Sequence, residues 1–160
     1  MTETTMAWET YPNAMTTYHV GPLDGEADLL IGIKITTVES SPNDQTKEEA
    51  YYDGDGTLET TVTGSKYSYA ISGYRAYGDP AQDFIAGLKY KKGNGRKVNF
   101  KITQPDGTTE TGQATVSEII DGGGVASDEA TFSCTITFDK EPVIGEGTPK
   151  TADSTDPAGA

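Results

Sequence analysis

Between Glu129 and Asp139 the chain reads EATFSCTITFD, and polarity alternates at almost every step. Ala130, Phe132, Cys134, Ile136 and Phe138 fall on one side, and Glu129, Thr131, Ser133, Thr135, Thr137 and Asp139 on the other. Only an extended backbone sends successive side chains to opposite faces, so this stretch reads as a half-buried strand. The same period runs through Leu29, Ile31, Ile33 and Ile35, through Leu58, Thr60 and Val62, through Tyr67, Tyr69 and Ile71, and through Val98, Phe100 and Ile102. Strands punctuated by Gly, Pro, Asn and Asp predict a mainly β protein of seven or eight strands, an antiparallel sandwich or barrel.

Three turns are legible between these strands. Lys92-Gly93-Asn94-Gly95-Arg96 suits a hairpin tip, Pro105-Asp106-Gly107 a tight turn, and Asp121-Gly122-Gly123-Gly124 a link between two long strands. One segment breaks the pattern. In DPAQDFIAGLKY, Asp79 can cap, Pro80 suits the first helical position, Gln82 completes a D-x-x-Q box, and Phe84, Ile85 and Leu88 form an apolar stripe. One short flanking helix is expected over about 80–90. The polar stretches outside this plan divide the chain into an arm (1–13), a single domain (14–141) with a protruding loop (39–56), and a polar tail (142–160) whose composition is that of a disordered segment.

Composition narrows the chemistry. One histidine, His19, and one cysteine, Cys134, are too few for a zinc site. Cys134 reads as a small buried hydrophobe and His19 as an ordinary strand residue rather than a general base. YYDGDGT at 51–57 starts like a calcium loop, but both frames fail: counting from Asp53 puts Leu58 sixth and Gly64 twelfth, and counting from Tyr51 puts Val62 twelfth. The glycines read instead as turn formers. The bases around GNGRK lack the phosphate-loop pattern. No enzyme, metal or cofactor is expected. A polar acidic N-terminus and the short apolar run LLIGI give no signal peptide and no membrane span, so a soluble protein made in a cytoplasm is expected.

Charge is distributed unevenly. The net charge is −13, which argues against wrapping nucleic acid. The loop at 39–56 carries Glu39, Asp44, Glu48, Glu49, Asp53 and Asp55 against Lys47 alone, whereas the segment 89–101 carries Lys89, Lys91, Lys92, Arg96, Lys97 and Lys101 and no acid. Opposite potentials of this kind steer association and set register. These twelve residues are the candidates for contact between neighbouring subunits.

The element order is a polar arm, a strand, a long polar loop, further strands, a short Asp-Pro-initiated helix, a hairpin and two long strands ending in SDEATFSCTITFDKEPV. In this layout, over about residues 14–143, the chain resembles the major tail tube protein of long-tailed (siphovirus-type) bacteriophages. The resemblance implies a structural virion protein whose copies close into hexameric rings, the inner sheets joining into a continuous barrel and the rings stacking into a hollow conduit. DNA would pass through without specific binding. It implies tape measure, tail terminator and distal tail proteins as partners, assembly in the host cytoplasm, and a loop, here 39–56 with YYDGDGT at its base, that reaches an adjacent ring. The polar face of the strand at 129–139 is the candidate lumen wall: Glu129, Thr131, Ser133, Thr135, Thr137 and Asp139. An immunoglobulin-like decoration domain, present in some members after the last strand, is not expected here. Two other readings stay open, a β-sandwich adhesin or carbohydrate-binding surface module and a capsid decoration protein.

Overall fold

The computed structural model describes residues 10–146. The expected arm through Glu9 and the tail from Thr148 onward, with Gly147, lie outside these residues. The described chain holds strands β1 (Thr17–Pro22), β2 (Leu29–Ile31), β3 (Ile35–Ser41), β4 (Gln45–Ala50), β5 (Leu58–Gly64), β6 (Ser68–Tyr74), β7 (Lys97–Thr103), β8 (Thr109–Ile120), β9 (Thr131–Phe138) and β10 (Val143–Gly145), with one α-helix, α1 (Pro80–Ala86). Eight strands form one antiparallel sheet in the order β2-β1-β7-β8-β9-β6-β3, with β10 joining β8 beyond the end of β9, and the sheet curls into a half-barrel. The expected mainly β sandwich or barrel with one short helix is therefore present, in its barrel form.

Ten strands exceed the seven or eight expected, and each addition has a local cause. The run from Leu29 to Ile35 is two strands, not one. Lys34 adopts a left-handed backbone (φ 63°), Ile35 N donates to Gly32 O at 3.2 Å, and the chain turns with Ile33 half exposed. This turn presses on β6 at Gly73, where a Cβ would run into the Lys34 carbonyl, and Tyr74 N donates to that same oxygen at 2.8 Å. The second addition, β4, lies inside the segment read as a loop. The third, β10, carries the sheet past the expected boundary at 141.

The apolar face of the sheet is turned inward. Val20, Ile71, Val98, Phe100, Ile102, Val116, Phe132, Cys134 and Ile136 are all buried in one cluster, and Phe132, Cys134, Ile136 and Phe138 of β9 sit on the inward face as the alternation requires. Tyr18, Tyr69, Phe100 and Phe138 pack ring against ring, with centroids 5.5–6.3 Å apart. Helix α1 covers part of this face through Ala81 and Ile85, and Leu88 just beyond it joins the same cluster. It ends at Ala86, short of the expected Tyr90, because Leu88 N and Lys89 N already reach back only three residues, to Ile85 O and Ala86 O.

The capping box is half made. Asp79 accepts from Gln82 N at 3.3 Å, as an N-cap does. The Gln82 side chain, fully buried, turns the other way: Oε1 accepts from Ala76 N at 2.8 Å, and Nε2 donates to Ile33 O at 3.1 Å and Tyr74 O at 3.0 Å. One amide thus ties the helix to the β2–β3 turn and to the end of β6. The turn at 105–107 forms as expected, with Gln104 N donating to Thr108 O and Gly107 at φ 96°. Residues 92–96 are not a hairpin tip. Gly93–Arg96 form a 3-10 turn leading from the helix region into β7, whose hairpin partner is β8.

Candidate functional site: a polar sheet face, a projecting hairpin and a basic segment

The outward face of the sheet is a field of short hydroxyls. In β9, Thr131, Ser133, Thr135 and Thr137 point away from the core beside Ser72, Ala70 and Ser68 of β6, and the Ser68 and Thr137 hydroxyls are 3.0 Å apart. Glu129 precedes the strand and is exposed, with Tyr74 and Arg75 of the neighbouring chain segment pairing across from Thr131 and Ala130. Glu118 enters this face from a bulge in β8: its backbone is left-handed (φ 54°) where the β8–β9 register shifts, and its carboxylate accepts from the Thr135 hydroxyl at 3.4 Å.

Asp139, at the end of β9, gathers this face together. Its carboxylate accepts from Thr115 Oγ1 at 2.7 Å, Gln113 Nε2 at 2.8 Å and Lys97 Nζ at 3.0 Å. Partial burial would raise its pKa, but these bonds outweigh burial and hold the carboxyl below its ordinary range. His19 lies on the same side of β1, opposite Lys101 of β7, and its pKa is lowered by burial and by Lys101 against the opposing pull of Asp28. Cys134 faces the core, where burial pushes its thiol up to about 12.

The acidic segment is a hairpin rather than a loop. Glu39 belongs to β3, paired with Ala70 of β6, while Asp44 lies at the root, accepting from Ser65 Oγ at 2.7 Å. From there β4 and β5 pair as a separate two-stranded ribbon that makes its contacts chiefly within itself. Glu48 and Glu49 are on β4, and Glu49 accepts from Lys47 at 2.9 Å and Tyr51 at 2.7 Å. YYDGDGT is the tip of this hairpin, not its base. Tyr52–Gly54 form a 3-10 turn, Asp55 (φ 55°) and Gly56 (φ 81°) reverse the chain, and Ala50 pairs with Leu58. The glycines return the chain into β5, so Asp53 and Asp55 stand at the far end of the ribbon.

The basic segment is largely spent within the subunit. Lys89 bonds Asp121 at 3.0 Å, which raises the lysine pKa and lowers that of the aspartate. Arg96 donates to the carbonyls of Lys89 (2.7 Å), Lys91 (2.8 Å) and Val116 (3.2 Å), clamping residues 89–91 along the last part of β8. Lys97 bonds Asp139, and Lys101 lies half-exposed on the polar face. Lys91 and Lys92 are exposed and have no acid partner among the described residues. No ion pair joins 39–56 to 89–101 within the described subunit. The lysine count was visible in the sequence. The backbone carbonyls that absorb Arg96 were not, since they come from strand register.

No protein-family model matches this chain, and no curated protein matches it in sequence. Its fold does have solved counterparts. It is similar to a chain in the tail of an empty gene transfer agent particle, determined by helical refinement with C6 symmetry, with a TM-score of 0.62 and 15% identity over 87% of this chain and 100% of that one. It is also similar to a chain in the virion of a native gene transfer agent particle, with a TM-score of 0.64 and 14% identity over 85% of this chain and 99% of the other. At such identity the likeness is one of fold.

Proposed function

We propose that this chain is the tube-forming subunit of a phage-like tail, a structural virion protein whose copies close into hexameric rings and stack into a hollow conduit for DNA. The observation that carries this reading is the fold match to a chain of a C6-symmetric tail, which spans 87% of this chain and the whole of the other. Three features of the subunit support it. The outer edge of β3 is an unpaired seven-residue strand, which a ring can cover by strand addition. The polar face of the sheet, with Glu129, Thr131, Ser133, Thr135, Thr137 and Asp139, offers short hydroxyls, the Lys97–Asp139 ion pair and an exposed acid to a lumen. The net charge of −13 keeps passing DNA from adhering.

On this reading the acids of the hairpin and the exposed bases of 89–101 meet between subunits, with Lys91 and Lys92 supplying the free charge. Tape measure, terminator and distal tail proteins are the expected partners at the tube's inside and ends. Negative-stain microscopy of the purified protein tests the proposal. Rings or tubes of uniform width are expected, and persistent monomers that bind glycans would overturn it in favour of a surface-binding module.

A further inference from the structure

Glu110 sits on the apolar side of β8. Alternation along that strand places Ala114 and Val116 in the core, and Glu110 shares their parity, paired with buried Ile102 of β7 on one side and Ile144 of β10 on the other. Its carboxylate accepts from Gln104 Nε2 at 3.2 Å and has no cation partner among the described residues. Two tyrosine hydroxyls feel this charge. Burial and then Glu110 raise the pKa of Tyr18, and the same causes, with smaller help from Tyr18 and Tyr67, push Tyr69 up to about 12. The next residue on this side of β8 is Gly112. The Phe138 ring and Pro142 Cα each lie 3.4 Å from where its Cβ would stand, so the β9–β10 link folds close over the strand. Beside them opens a cavity of about 300 Å³ walled by Tyr67, Tyr69, Phe138 and Pro142, with Glu110 and Glu141 as its acids. Lys140 lines an adjoining cleft with Ser65 and Asp139 rather than this one.

We propose that this cavity is a binding site for a linear aliphatic diamine, its ammonium ends paired with Glu110 and Glu141 and its methylenes laid against the rings. The lining selects that chemistry. It carries two carboxylates and no base, which disfavours an anion. A hard metal ion takes six or more oxygens, whereas most of this wall is hydrocarbon, and no group of three acid, histidine or cysteine side chains that could hold a metal gathers among the described residues. An ammonium is stabilised by the faces of Tyr and Phe rings as well as by carboxylates, so an organic cation fits. The two acids come from separate segments, β8 and the link between β9 and β10, and a ligand with a cationic group at each end matches both. Tyr69, set edge-on to Phe138 with centroids 6.1 Å apart, is already packed and needs little further ordering on binding. The site lies within one subunit and does not depend on the tube reading.

Isothermal titration calorimetry of the full chain with 1,4-diaminobutane at fixed ionic strength tests the site. Saturable binding of one molecule per chain is expected, with butylamine weaker and butane-1,4-diol silent. Glu110→Gln can still accept from Gln104 and should weaken the diamine about tenfold or more, the loss of one charge-assisted bond. Glu141→Gln should weaken it likewise, and because that side chain is exposed the variant keeps the test open even if Glu110→Gln folds poorly. Asp24→Asn removes one charge from an exposed turn at the other end of β1 and should bind as wild type does. It separates a site from the general attraction of a chain of net charge −13 for cations. The proposal is overturned if the diamine does not bind or does not saturate, if Asp24→Asn loses as much affinity as Glu141→Gln, or if butylamine binds as tightly as the diamine.

Discussion

Gln82 is the residue whose replacement tests the fold most sharply. Its amide is fully buried and satisfies three backbone groups on two segments, Ile33 C=O in the β2–β3 turn and Tyr74 C=O and Ala76 N–H at the end of β6. Gln82→Leu keeps most of the volume and leaves those groups without partners. A buried polar group deprived of its bond costs roughly 1–3 kcal/mol. Because Ile33 and Tyr74 are half exposed and water can reach part of that region, the lower half of the range applies, giving about 3–6 kcal/mol in total. That is a large share of the stability of a domain this size. Urea unfolding followed by circular dichroism measures it, and a shift under about 1 kcal/mol would refute the idea that this amide holds helix, turn and strand together. Gln82→Glu adds a sign. One carboxylate oxygen would keep Ala76 N–H at 2.8 Å and Arg75 Nη1 at 3.4 Å, but the other would face two carbonyls in a fully buried site, so its folded pKa should rise above the ordinary 4.3 or so. The variant should be most stable at low pH and lose stability as pH climbs from about 4 through the raised folded value. Wild type should lack this slope.

Phe132→Ala should cost roughly 3–5 kcal/mol by opening a cavity in the core, read as a lower urea midpoint. Thiol reagents should label Cys134 slowly in the native protein and quickly in urea, since the thiol is buried and titrates near 12. Asp139→Asn should cost about 1–3 kcal/mol at neutral pH by weakening bonds to Lys97, Gln113 and Thr115. With a lowered folded pKa, the wild-type contribution is present above about 3.9 and lost as pH falls through the folded value, so the variant should show a shallower acid limb. Lys91→Glu with Lys92→Glu should weaken polymer and reduce its salt sensitivity without lowering the melting temperature, measured by sedimentation across an ionic-strength series.

The strongest periodicities carried over intact. β9 and β7 alternate in the structure as they do in the sequence, because a half-buried strand has only one way to place Phe132, Ile136, Phe100 and Ile102 out of water. The helix start was legible from Asp79 and Pro80. Its end was not, because nothing in the sequence marks the step to three-residue bonds at Leu88 N and Lys89 N that stops it at Ala86, nor says that Gln82 will turn its side chain to carbonyls contributed by residues 33 and 74. The Leu29–Ile35 run misleads for a related reason. Its period of two continues straight through a turn that exists only because Gly73, far along the chain, leaves room for the Lys34 carbonyl. Polar β4 has no apolar face to announce it, so a ribbon held by its own ladder reads as a loop. The basic cluster showed its charge in the sequence and hid which members the fold consumes.

Among the described residues the β4–β5 ribbon makes its contacts chiefly within itself, and this separates two kinds of stability in one chain. Unfolding of the half-barrel does not register the quality of the ribbon, and fraying of the ribbon leaves the half-barrel whole. Its amides should exchange with solvent at rates unrelated to the melting temperature and become protected only when a neighbour covers them. Changes in the tip therefore leave the packing of the core untouched.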